Sequence, residues 1–163
     1  MNRNSVVATV KAICTADLEH GVTSSGEAIS YIEIFEIPTI KRKIGISSNG
    51  YWCSCDSTIR EINGNGECRV LFQLLEIPIR NLVETIKAGL GRRNLPEKLL
   101  LTFPFDEIVV PALDSSWKDL ALKWLEDGYP TNDEIDYILS GKDKQNSFWL
   151  KKHQERLGEF FGI

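Results

Sequence analysis

Between positions 39 and 75 apolar residues recur at alternate positions, and two turn signals, Asn49-Gly50 and Asn63-Gly64-Asn65-Gly66, cut the stretch into three runs. Asn-Gly between alternating runs marks a hairpin, because a type I′ turn needs φ > 0 at both central residues. Pairing Ser48 with Tyr51 sets Ile46 opposite Cys53, Ile44 opposite Cys55 and Ile40 opposite Ile59. Side chains in register share a face, so this face is apolar almost throughout. A second turn centred on Gly64-Asn65 sets Ile59 opposite Val70 and Cys55 opposite Leu74, continuing the same face. The pattern predicts a three-stranded antiparallel meander over 39–48, 51–61 and 67–75.

Upstream, the run 29–35 reads as another strand that ends before Pro38. The segment 6–14 alternates with β-branched residues like a strand, but Ser5 as an N-cap, Val6, Val10 and Cys14 on one stripe and Gly21 as a stop fit a helix equally well. Between these two elements, 15–28 is polar and contains glycine, which predicts a loop.

The period changes near Pro78. Leu82, Val83, Ile86 and Leu90 form the stripe of an amphipathic helix that Gly91 can end. The runs 99–103 and 108–110 are short and apolar, and read as buried strands or packed connectors. Ser116 with Asp119 resembles a capping box ahead of a helix that Gly128 ends, and Thr131 with Glu134 forms a second box ahead of a helix that Gly141 closes. Asn146 opens a final helix with the stripe Leu150, His153, Leu157 and Phe161. The expectation is a single α+β domain over 1–163, sheet-rich over 1–77 and helix-rich over 78–163. Its antiparallel sheet comprises the meander plus one or two N-terminal strands, packed by about four helices, three of them C-terminal.

With 163 residues and a 42% hydrophobic fraction, the chain is long enough for a core of its own. No apolar run approaches the ~20 residues of a membrane span. The start, Met1-Asn2-Arg3-Asn4 before an apolar run broken by Lys11, does not read as a signal peptide, so the expected location is cytoplasmic. The net charge of −4 argues against general affinity for nucleic acid or anionic membrane.

Candidate chemistry is sparse. In the predicted register Cys68 falls opposite Glu61, roughly 20 Å along the strand from Cys55 at ~3.3 Å per residue. A zinc ion needs its thiolates at about 2.3 Å from one centre, so the cysteines are expected to be small buried hydrophobes. No metal and no cofactor is expected, although Cys14 and His20 would approach Cys53 and Cys55 if the first strand crossed beside them. His20 lies near Asp17, Ser24 and Ser25 without a spacing that defines a triad, and no G-x-S-x-G, H-E-x-x-H or P-loop is present. No catalytic residue is assigned.

The two helices around Gly128 imitate a helix-turn-helix, but the second begins with Asp133 and Glu134 and continues to Asp136, placing carboxylates where phosphates would sit. Basic residues on the last helix, Lys151, Lys152 and Arg156, follow Lys142 and Lys144 and read as a solvated face. From Asp106 to Asp143 ten carboxylates stand against three lysines. Aromatic residues lie among them, and acid-rimmed aromatics suit capture of a basic protein partner. The expected contact residues are Trp117, Glu126, Asp127, Tyr129, Asp133, Glu134, Asp136 and Tyr137.

In size, acidity and absence of a catalytic motif the chain resembles the immunity and antitoxin proteins that neutralise bacterial toxins, a likeness of organisation carried by no motif. It implies a non-enzymatic protein that binds a basic partner. Two alternatives stand beside it: a nucleic-acid-associated regulatory domain using the C-terminal helices, and a small enzyme built on His20 or on Cys53 and Cys55.

Overall fold

The structure, a computed structural model, describes residues 3–12, 18–63, 67–140 and 148–163, with side chains from 4 and, in the last segment, from 155. It is an α+β fold. The strands β1 (Glu19–Val22), β2 (Ala28–Ile37), β3 (Arg42–Ser47), β4 (Trp52–Cys55) and β5 (Ile59–Glu61) form one antiparallel sheet in chain order. Thr23, just beyond β1, makes a parallel bridge to Ile59, so the two edges of the sheet meet and it curls into a half-barrel.

The segment 6–14 resolves in favour of the helical period: α1 spans Arg3–Ala12, and Val6 and Val10, one turn apart, are both buried. Ser5 does not cap it but lies in its first turn, where its carbonyl accepts a bond from the Thr9 hydroxyl at 2.8 Å. The polar stretch expected to be a loop contains β1, an edge strand whose alternation is too polar to register as one.

The expected meander is corrected first in its strands and then in its register. The run 67–75 is not a third strand but a 3-10 helix, Cys68–Glu76. Cys68, Val70, Phe72 and Leu74 imitate a strand, yet the residues the protein buries are Cys68, Leu71, Phe72, Leu74 and Leu75, a helical spacing. The run 51–61 also breaks, bending over 56–58 between β4 and β5.

The second correction is the register of the hairpin. Ile46 pairs with Trp52, Gly45 with Cys53 and Ile44 with Ser54. Ser47 and Tyr51 close the turn through a 2.8 Å bond, and of the central residues only Gly50 has positive φ, at 80°. The loop therefore has three residues and ends in a left-handed glycine, instead of the two-residue type I′ turn. A slip of one residue exchanges the faces of the sheet. Ile44, Ile46 and Trp52 point into the main core, whereas Cys53 and Cys55 lie on the opposite face with Ile29, Tyr31 and Ile59.

Helices cover the core face. α2 (Ile79–Arg92) crosses β2 so closely that a Cβ on Gly89 would collide with the carbonyl oxygen of Ile34. Ile34 sits where the β2–β3 register shifts, and the carbonyls of Glu33 and Ile34 accept bonds from Arg93 and Arg92 at 3.0 and 3.2 Å. Asn94, not Gly91, ends α2. Its φ is 54°, and the Leu95 and Asn94 amides return to the carbonyls of Leu90 and Gly91.

The run 99–103 contributes to a second 3-10 helix, Glu97–Thr102, and 108–110 lies inside α3 (Phe105–Leu113). α4 (Lys118–Glu126) ends at Gly128 as its sequence predicts, with the Tyr129 and Gly128 amides bonded to the carbonyls of Trp124 and Leu125. Neither expected capping box forms: the N-cap of α4 is Trp117, without a side-chain cap, and α5 (Asp133–Ser140) is capped from Asn132 instead of Thr131. The Ser115 hydroxyl accepts from the Trp117 amide at 3.1 Å, and the Asn132 side chain accepts from the Ile135 amide at 2.9 Å. α6 (Phe148–Phe161) buries Leu157 and Phe161.

Candidate functional site

The acid-rich face expected from sequence divides in two. Tyr129 is core: it is 2% exposed and its hydroxyl donates to Asp106 at 2.6 Å; burial, then the Asp106 charge and this bond, hold its ionisation far above the ordinary range. Trp117 is half-buried, edge-on to Phe72 at 6.0 Å. Glu126, Asp127, Glu134 and Asp136 are exposed and Asp133 is partly so. Tyr137 is 40% exposed and follows Asp133 and Glu134 by four and three residues, a spacing that makes them neighbours on the helix surface. Leu139, 47% exposed, lies on the other flank of the buried Ile135.

The cysteine face carries a second, small hydrophobic cluster of Ile29, Tyr31, Cys53, Cys55 and Ile59, with paired polar groups on the strands around it. Tyr31 donates to Glu19 at 2.9 Å, Lys43 pairs with Glu33 at 2.7 Å, and Glu61 accepts from Ser47 and from Asn49 at 2.5 and 3.1 Å. The two thiols touch at 3.6 Å. Their mutual hydrogen bond, followed by burial, pushes the Cys55 thiol well above its ordinary value, so it stays neutral and unreactive. His20 bonds to Ser30 at 3.0 Å, and strand alternation puts both on the face opposite Tyr31 and Cys53. Among the described residues no group of three His, Cys, Asp or Glu side chains is arranged to hold a metal. Cys14, Asp17, Lys142, Lys144 and Asn146 lie outside the described residues, as do the side chains of Leu150, Lys151, Lys152 and His153. Of the other basic groups, Arg42 is tied to Asp56 and to the Val70 carbonyl at 3.0 and 2.8 Å.

One concave site was not anticipated. A cavity of about 390 Å³ opens between the β3–β4 turn, the Cys68–Glu76 helix and the start of α3, lined by Tyr51, Trp52, Asn63, Cys68, Thr102 and Glu107 among others. Trp52 is held by its indole N–H, which donates to the Thr102 hydroxyl at 3.0 Å, and Thr102 donates in turn to the Leu99 carbonyl at 2.7 Å. Burial, then the carboxylates of Glu107 and Glu67, push the Cys68 thiol up to about 12. Glu107 keeps contact with solvent, yet desolvation raises its carboxyl above the ordinary value. A backbone hydrogen bond opposes that rise and the Asp106 charge adds to it. These residues come from segments far apart in sequence, and no local pattern links them.

These features define an α+β protein whose curled five-stranded meander carries its helices on one face. No family model, no curated protein and no solved structure matches the chain. No helix among the described residues is long and apolar enough to cross a membrane.

Proposed function

We propose that this is a non-enzymatic binding protein of the immunity or antitoxin kind, which captures a basic protein partner on the surface formed by the end of α4 and by α5. The observation that carries the reading is Tyr137, a 40% exposed aromatic rimmed by Asp133 and Glu134. An aromatic ring supplies contact area at low entropic cost, and surrounding carboxylates accelerate encounter with a cationic surface. Asp136 adds a further exposed carboxylate on α5 and Glu126 and Asp127 two more at the end of α4, whereas Tyr129, being buried, belongs to the scaffold.

The test compares the wild type with the Glu134→Lys/Asp136→Lys double variant against a partner captured by the wild type. Exposed charges act on association and are screened beyond ~8 Å at physiological salt. The variant should associate about ten-fold more slowly at low ionic strength and within about two-fold at high salt. Tyr137→Ala should act on dissociation instead. Equal association rates at low salt, or a captured partner whose binding surface is acidic, would overturn the proposal.

A further inference from the structure

The cavity beside Trp52 has no part in that reading, and its chemistry points to a different ligand. We infer that it is a binding site for a small organic cation, an amine carried on a flat apolar body. At about 390 Å³ it falls in the size range of small-molecule sites. Tyr51, Trp52 and Ile62 supply aromatic and aliphatic lining, while Asn63, Thr102 and Glu107 supply a few polar groups. Such a division is what fixes the orientation of a small ligand.

The wall is preformed. The Trp52–Thr102–Leu99 chain of hydrogen bonds and the edge-on contact of Trp52 with Phe103 at 4.9 Å leave the indole one orientation. Little ordering remains for a ligand to bear.

Charge selects the ligand. Glu107 is the acid of the lining, and among the described residues no Lys, Arg or His lines the cavity with it. Among the described residues Glu107 makes no ion pair. A bound ammonium would supply that counter-charge through a charge-assisted hydrogen bond, whereas an anion would meet the Glu107 carboxylate. Burial and the neighbouring carboxylates raise the Cys68 thiol, which disfavours the thiolate that a covalent adduct would need.

The experiment titrates phenethylamine, its neutral analogue 2-phenylethanol and the anion phenylacetate into the full chain, following the indole N–H resonance of Trp52, assigned with a Trp52→Phe variant. Phenethylamine should shift that resonance saturably and bind about ten-fold or more tightly than the alcohol, with phenylacetate weakest. In Glu107→Gln, shown to be folded by its melting curve, amine and alcohol should bind within about two-fold of each other. The inference is overturned if no probe shifts Trp52 saturably, if the wild type does not prefer the amine, or if the preference survives in Glu107→Gln.

Discussion

Gly45 lies directly opposite Cys53 across β3 and β4. That one pairing sends both cysteines to the face of Tyr31 and Ile59 and leaves the other face to Ile44, Ile46 and Trp52. It also explains a glycine in mid-strand: a Cβ on Gly45 would strike the carbonyl oxygen of Ile32 and come within 3.0 Å of the Cys55 sulfur.

Two glycines of α2 should respond to alanine with opposite signs. At Gly91 nothing lies within 4 Å of an added Cβ, so Gly91→Ala should stabilise by about 0.5–1 kcal/mol through helix propensity. At Gly89 the same change meets the backbone of Ile34 and should destabilise by about 1–3 kcal/mol despite that propensity. Urea denaturation of both variants decides it. A stabilising Gly89→Ala would mean that α2 does not approach β2 this closely.

Trp124 is 1% exposed, stands against Phe105 and Tyr129, and donates its indole N–H to the Ile77 carbonyl at 2.9 Å. Trp124→Ala should therefore cost about 3–5 kcal/mol, since the cavity adds to the lost burial. A near-neutral change in the denaturation midpoint would place the ring outside the core.

In a Cys14→Ser background, Cys53, Cys55 and Cys68 should react with a thiol probe about 100-fold or more slowly in the native protein than after unfolding, because reaction requires opening of buried structure. Mass spectrometry of timed samples measures this. Rapid native labelling of Cys53 or Cys55, or stoichiometric zinc in protein purified without added metal, would contradict their assignment as packing residues.

The raised carboxyl of Glu107 implies a pH dependence of definite sign. A glutamate whose folded-state pKa lies above its unfolded value favours folding most when protonated, below the ordinary value of 4.5, and loses that contribution as pH rises through the raised value. Glu107→Gln resembles the protonated form and keeps the contribution. Relative to wild type the variant should gain stability as pH rises through that window and then level off. Paired denaturation midpoints across pH check this, and a difference that is flat or of opposite slope contradicts it.

The sequence alone determined whatever local chemistry fixes. The stripe of Leu82, Val83, Ile86 and Leu90 made α2, since a 3.6-residue period with apolar side chains on one face has no competing reading. Gly128 ended α4 because a left-handed residue is needed where the last carbonyls are capped. Asn49-Gly50 announced a hairpin. It did not settle the register, because a turn with φ > 0 at both residues and one with φ > 0 at Gly50 alone suit the same dipeptide. Tertiary packing chose the second and so decided which face the cysteines occupy. The same holds for the run after Cys68, where alternation and helical spacing coexist and burial against α3 and α4 selected the helix. The cavity is the extreme case. Tyr51, Cys68 and Glu107 carry no mutual signal along the chain, and what joins them is the meeting of a turn, a 3-10 helix and the start of α3, contacts that exist only once the fold has closed.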